Sequence, residues 1–367
     1  MLYSSYKKAF IYHFYCIFVH QNRLSVHMVH YSTSRPSPIT HLFSKLVIVA
    51  GLILGAGQCM WAQNKTWELI DRIYDKYKPL RTDTNYIVRP KEKWTLKISE
   101  NISQDVLTFK GDNIGFIPYK GELQSKETIK LGMSASYRGL SLSYGVDLTR
   151  LGKVSANQSL GITSFGNRVG GDITLSRIKN FEGYISPDGT HHELSLDQVK
   201  QDKLAVNGYF VFNHKRFSYP AAFTQSYIQK HSSGSFILNG TFMMSRINMY
   251  TEDLAAEFVK KINLIHAGIG AGYAYNWIPN RKFLVSLSVL PSLILYKDYK
   301  LDYGNRVANM PREPIDIHLT TRCSFIWYFS SYFLGTMVTH NISHVGNKDF
   351  SVQNENLTAK VAIGRRF

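Results

Sequence analysis

Apolar and polar side chains alternate with a period of two through most of residues 93–367, in short segments separated by turn chemistry. The clearest pair spans 129–148. Ile129, Leu131, Met133, Ala135 and Tyr137 share one parity; Lys130, Gly132, Ser134, Ser136 and Arg138 share the other. After Gly139 the pattern resumes, with Leu140, Leu142, Tyr144, Val146 and Leu148 opposed by Ser141, Ser143, Gly145 and Asp147. Successive side chains of a strand point to opposite faces, so each segment predicts a strand with one apolar face and one face of glycine, serine and charge. Lipid outside and a wet lumen inside want that distribution. A soluble β-sandwich would also alternate, but its bulky face would be the interior one and its exterior richer in Lys, Glu and Asp.

Twelve such segments can be marked, at 93–102, 128–138, 140–150, 158–165, 168–179, 204–213, 234–246, 264–277, 282–296, 314–327, 332–341 and 357–367. The connections are short at Arg138-Gly139, Gly166-Asn167, Pro279-Asn280-Arg281 and 328–331. They are long at 103–127, 151–157, 180–203, 247–263, 297–313 and 342–356. Short periplasmic turns and long extracellular loops alternate in this way in transmembrane barrels. An even count also puts both ends of the barrel on the periplasmic side. The expected fold is all-β: a transmembrane antiparallel up-and-down β-barrel of about 12 strands, within a range of 10–14. One connection breaks the rhythm. Residues 214–233 stand where a short turn belongs, as either a specialised inner element or two further strands.

The segment 356–367 places Leu357, Ala359, Val361, Ile363 and Phe367 on one face and Thr358, Lys360, Ala362, Gly364 and Arg366 on the other. An aromatic closing such a strand is the usual ending of outer-membrane barrels, which makes Phe367 the candidate assembly signal. Tyr273, Tyr275, Trp277, Trp327, Tyr328, Tyr332 and Phe333 gather at strand ends near short turns, as an interfacial aromatic girdle would.

At the other end, residues 46–56 form an apolar run preceded by Lys45. A membrane-spanning helix needs about 20 apolar residues, so this run fits the core of a secretory signal, with cleavage expected after Ala62. The stretch before it is long and rich in His and Tyr, as an over-called start upstream of Met28 would be. Residues 1–62 are therefore read as signal peptide with extension, 63–92 as a periplasmic helix and linker, and 93–367 as the barrel. Trp67, Ile70, Tyr74 and Tyr77 recur at helical spacing between a Thr66 N-cap and Pro79.

Charge changes the choice of partner. The chain has 43 Lys and Arg against 26 Asp and Glu; five of the bases and none of the acids precede residue 63, leaving +12 on residues 63–367. An exported chain meets outer-membrane lipid, lipopolysaccharide phosphates and the outer-membrane assembly machinery, not nucleic acid. Cys323 alone remains after residue 62, so neither a disulfide within the chain nor a cysteine metal site is expected there. A monomer without cofactor or metal is the expectation.

No nucleophile elbow, metalloprotease helix, phosphate loop or calcium loop occurs. Gly268, Gly270 and Gly272 lie inside an alternating strand beside His266, where they make room or ease curvature. Parity places Lys130, Asp147, Arg138, Asp172, Arg322 and Arg366 inward, as a solvated or paired electrostatic lining. It also sets His266, His318 and His340 inward near the extracellular ends of the eighth, tenth and eleventh strands, a speculative rim for metal or acid–base work. The segment 214–233 is the candidate recognition surface or internal plug. His214, Lys215 and Arg216 supply charge, Phe217, Tyr219, Phe223 and Tyr227 aromatic anchors, and Ser218, Gln225 and Gln229 polar groups.

Asp83-Thr-Asn-Tyr-Ile87, Lys93-Trp-Thr-Leu-Lys97, Gly166-Asn-Arg-Val169, Phe212–Gln225, Gln229–Phe236, Gly272–Trp277 and Gly364-Arg-Arg-Phe367 together resemble an uncharacterised Bacteroidota-type family, a domain of unknown function with an expected outer-membrane barrel. The resemblance implies location and architecture and assigns no activity. The function expected is that of a non-enzymatic outer-membrane barrel: structural component, narrow channel or envelope docking partner. The alternatives are an outer-membrane enzyme acting on lipid or protein, and a soluble periplasmic β-sandwich.

Overall fold

The computed structural model describes residues 71–72, 82–114, 117–147, 157–179, 181–187, 192–194, 199–249, 260–309, 316–346 and 350–367. The signal, its cleavage point and most of the expected N-terminal helix lie outside the described residues; Asp71 and Arg72 are helical. Residues 78–367 form one compact unit.

Twelve strands make its wall: β1 (Trp94–Ile114), β2 (Thr128–Tyr137), β3 (Leu140–Asp147), β4 (Gln158–Phe165), β5 (Val169–Ile178), β6 (Val199–Val211), β7 (Ser233–Met249), β8 (Lys261–Asn280), β9 (Phe283–Asp302), β10 (Asp316–Phe329), β11 (Tyr332–Gly346) and β12 (Phe350–Arg366). Each pairs antiparallel with its sequence neighbours, and β12 returns to β1 along seventeen residue pairs from Phe350↔Gly111 to Arg366↔Thr95. The twelve-strand ladder closes on itself, which rules out the sandwich. At the seam the Trp94 and Phe367 backbones exchange two hydrogen bonds, each 3.0 Å long.

The faces follow the sequence parity over the lower half of the wall, nearest the short turns. Leu142 (56%), Val361 (50%) and Ile363 (51%) are exposed, whereas Lys130, Ser136, Ser141 and Ala362 are buried inside. Tyr273, Tyr275, Trp277, Trp327, Tyr332 and Phe367 stand outside near the short-turn end, with Phe212 and Phe236 beside them. Arg365 lies over the rings of both Tyr332 and Phe367 at 5.3 and 5.4 Å. Two residues assigned to the girdle belong elsewhere. Phe333 is wholly buried, and Tyr328 turns inward with its hydroxyl donating to the Ala221 carbonyl at 3.3 Å.

Above the middle the polarity of the two faces exchanges. On β1 the inward positions run Ser99, Asn101, Asp105 and then Leu107 and Phe109, while the outward ones run from Ile98 and Ile102 to Lys110. On β7, Asn239 and Ser245 give way inside to Ile247 and Met249, while Leu238 and Met244 outside give way to Arg246. The long-loop end is therefore built like a soluble barrel, apolar within and polar without. Segments expected as loops are largely ladder: β1, β11 and β12 extend through 103–114, 342–346 and 350–356, and Ile117–Ser125, Phe181–Pro187 and His192–Leu194 add a side sheet against β1.

Gly268, Gly270 and Gly272 sit where β8 presses on β9. A Cβ on Gly270 would fall 1.9 Å from the Pro291 carbonyl oxygen, and one on Gly272 2.0 Å from that of Val289. Nearby, the pairing slips by one residue between Ala267 and Gly268, opposite Tyr296 and Ile294. Curvature, rather than lumen space, is what these glycines supply.

Candidate functional site

The long connection between β6 and β7 settles the question its length raises: it folds into the lumen as a plug. Ser218 caps a short helix, α1 (Tyr219–Phe223), with its hydroxyl accepting from the Ala221 amide at 3.3 Å, and Pro220 lies in the first turn. Phe217, Ser218, Tyr219, Gln225, Tyr227 and Gln229 are all under 9% exposed. The segment's aromatics thus fill the barrel instead of presenting a surface; Lys215 and Arg216 at its mouth remain exposed.

Wall strands from around the barrel hold it. Asn276 of β8 donates to the Ser218 carbonyl at 2.8 Å, and Arg322 of β10 donates to the Tyr219 hydroxyl at 3.4 Å. Lys97 of β1 reaches the Thr224 carbonyl and the Gln225 side chain, both at 3.3 Å. Arg366 of β12 donates twice to the Gln225 carbonyl. Tyr219 packs edge-on against Tyr209 of β6 at 4.9 Å, and Asn167 donates to the His214 carbonyl. Gln229 organises the segment internally, accepting from the Ser218 amide at 2.8 Å and donating to the Arg216 carbonyl at 2.6 Å.

Residues 83–88, expected as linker, are sewn to this plug. Ile87 pairs with Gln229 and Val88 with Ile228, and Ile87 is fully buried among Ala221, Ala222 and Phe333. The Asp83 amide donates to the Lys215 carbonyl at 2.9 Å, and its carboxylate lies 3.5 Å from Arg216.

Above the plug lies a polar chamber of about 350 Å³. Its walls carry Ser99, Asn101, Ser143, Ser159, Asn207 and Thr358 together with Lys130, Lys203, Arg322, Lys360, Asp105 and Asp172. Lys130 and Asp147 face one another in register, as the sequence parity implies. Lys203 and Asp105 approach to 3.6 Å, and Arg322 and Asp172 to 3.8 Å. Lys203 and Asp105 lie outside the strands that the sequence marks, because the stretches carrying them are read there as loops; Lys360 stands on the polar parity of the last strand together with Arg366.

The expected histidine rim does not assemble. His266 and His318 do face inward, with ring centroids 6.1 Å apart. His266 Nδ1 lies 2.8 Å from the Tyr299 hydroxyl, and His318 Nε2 3.1 Å from that of Thr320. His340 is on the outer face. It pairs in register with outward Leu357, and its Nε2 meets Glu355 at 2.6 Å. The error is one of phase: with Phe333 inside, the odd positions of β11 point in and His340 points out. Among the described residues no three His, Cys, Asp or Glu side chains converge as a metal-holding group.

Over the chamber the inward apolar residues of the long-loop end form one contiguous layer. Leu107, Phe109, Leu123, Phe181, Ile247, Ile262, Leu301, Val345 and Val352 belong to it, each 5% exposed or less. The polar-lined chamber lies between the plug and this apolar layer.

Comparison with curated proteins finds no match. Among solved structures the chain is similar to the translocator domain of the autotransporter NalP from Neisseria meningitidis, at 14% identity and a TM-score of 0.35, covering 74% of this chain and 88% of that one. It is similar too to the outer membrane protease OmpT from Escherichia coli, at 6% identity and a TM-score of 0.39, covering 76% and 98%. A further likeness is to the P. putida toluene transporter TodX, at 8% identity and a TM-score of 0.24, covering 76% and 91%. Such likenesses concern barrel architecture alone. Residues 81–367 match the model of the family described as a domain of unknown function, DUF4421, and the chain belongs to that family.

Proposed function

We propose that this chain is a monomeric outer-membrane barrel with a sealed lumen, serving the envelope as a non-enzymatic scaffold or docking component rather than as an open channel. The short turns and both ends of the barrel face the periplasm, and the polar-walled long-loop end stands above the membrane. One observation carries the reading: the plug is tied to β1, β8, β10 and β12 by side-chain hydrogen bonds while an apolar layer covers the chamber above it. Each hydrogen bond between the plug and the wall adds a net contribution of about 0.5–1.5 kcal/mol, so four strands acting together hold the plug firmly. Two of the chamber's cations, Lys203 and Arg322, pair with Asp105 and Asp172 across its walls, which favours an electrostatic lining over catalysis.

Planar-bilayer recording tests this. The folded protein should give no sustained conductance, and a variant with 216–229 replaced by a short turn should give brief openings as the apolar layer fluctuates. Steady, large-amplitude conductance by the unaltered protein would overturn the sealed-lumen reading.

A further inference from the structure

Where the outer face changes from apolar to polar, its basic residues are not spread evenly. Ladder register aligns Arg177, Asp202, Arg246, Asn263 and Lys300 in one row across β5–β9. The row two residues higher contains Lys200, Asn248, Lys261 and Asp302. Two residues lower lie the apolar Leu175, Leu204, Met244 and Ile265, with Asp298 ending the row on β9. Across β11, β12 and β1 the outward positions at the same transition are His344, Gln353 and Thr108, with Ile342, Glu355 and Val106 beneath them. The cationic side chains thus gather on one flank, directly above its apolar band.

Their carboxylates are largely committed. Asp202 holds both Arg177, at 2.6 Å, and Lys200, at 3.1 Å, and Asp298 holds Lys300 at 2.7 Å. The Asp302 carboxylate accepts from the Gly304 amide at 2.8 Å and stands in register with Lys261, as the acid of that row. Arg246 is exposed and donates to the neutral Asn263 side chain at 3.3 Å. Arg246 and Lys261 stand on adjacent strands two register positions apart, a diagonal of about 7–8 Å that two long side chains can both bridge to one anion. A phosphate group there would meet surplus positive charge, and alkyl chains hanging from it would lie along Met244, Leu175 and Ile265.

We propose that this flank of β5–β9 is a binding site for the phosphorylated headgroup of an outer-leaflet glycolipid, with Arg246 and Lys261 as its phosphate ligands. The proposal rests on the outer-membrane reading above. The test is retention of lipid by the folded protein, read by native mass spectrometry after incubation with bisphosphorylated lipid A or with the same lipid stripped of both phosphates. The unaltered protein should retain the phosphorylated form preferentially. Replacing Arg246 or Lys261 by Ala should cut that preference about fivefold each, since a basic residue near an anionic lipid surface contributes on this scale. Lys110→Ala removes the same charge from β1, on the opposite flank, and should leave the preference unchanged. No preference in the unaltered protein, or an equal loss on Lys110→Ala, would overturn the site while leaving the barrel standing. Failure of the protein to enter bilayers as β-sheet, read by circular dichroism in vesicles, would instead sink the outer-membrane reading and the site with it.

Discussion

The Arg366 guanidinium donates from Nε and Nη2 to a single acceptor, the Gln225 carbonyl, at 3.2 and 2.9 Å. One residue is near the end of the last wall strand and the other just past α1, so this contact ties the barrel's seam to its plug. Arg366 also lies over the rings of Tyr328 and Phe333, at 5.1 and 5.4 Å. Hydrogen bonds from a charged donor contribute about 1.5–3 kcal/mol each. Arg366→Met, which keeps bulk and gives up the donors, should leave a folded barrel with a looser plug. Hydrogen exchange of the 218–225 amides should be faster than in the parent, and adding Lys97→Met should speed it further. Exchange as slow as in the parent would mean that apolar packing alone holds the plug.

Ile87 connects the plug to the chain that precedes the barrel. It is fully buried and pairs with Gln229. Ile87→Asp puts a carboxylate into an apolar cluster with Ala221, Ala222 and Phe333, where burying a polar group without a hydrogen-bond partner is costly. Residues 83–92 should then detach. Trypsin should cut the variant after Lys91 while the barrel stays intact by gel mobility, whereas the parent resists there under the same conditions.

These relationships differ in how far the chain alone reveals them. The twelve strands and the alternation of short and long connections are legible, because one parity is apolar and the other small or polar along segments such as Leu140–Leu148. The strands' upper halves are not. Around Asp105 on β1 and Arg246 on β7 the apolar parity changes sides, and a reading that waits for outward hydrophobics stops there and declares a loop. Phe333 misleads for a related reason. Beside Tyr332 it looks like a girdle aromatic, but it packs on the plug, and counting it as outward turns His340 to the wrong face. The plug's aromatics are conspicuous in sequence, yet whether they face a partner or the lumen is decided by Lys97, Asn276, Arg322 and Arg366, residues far away along the chain.

Glycines offer a sharper test of wall geometry. Gly270 has the Pro291 carbonyl oxygen 1.9 Å from where a Cβ would sit, whereas Gly208 has nothing within 4 Å. Overpacking against backbone that cannot yield costs about 1–3 kcal/mol. Gly270→Ala should therefore lower stability by about that much in reversible unfolding from detergent or lipid. Gly208→Ala should be neutral or slightly stabilising, since Ala restricts the unfolded chain more than Gly does. Equal losses at the two positions would mean that β8 and β9 do not approach as closely as the glycines require.

The exchange of polarity along the strands yields the most discriminating comparison. Leu142 is 56% exposed on the outer face of β3, and Ser143, one residue on, lines the chamber. Arg on the lipid face near the midplane costs about 2–4 kcal/mol, whereas Arg in a wet lumen keeps its hydration. Leu142→Arg should lose folded protein and Ser143→Arg should keep it; Val361→Arg, at 50% exposure on the same face of β12, should behave like Leu142→Arg. A barrel with one wet face throughout would tolerate Arg at every inward position. Here Ile247 is inward, 1% exposed, and part of the apolar layer over the chamber. Ile247→Arg should therefore fail as badly as Leu142→Arg, although the two side chains point to opposite faces. Measured unfolding free energies decide the matter: if Ile247→Arg matches Ser143→Arg, the long-loop end is open to water, and the lumen is a channel rather than a closed chamber.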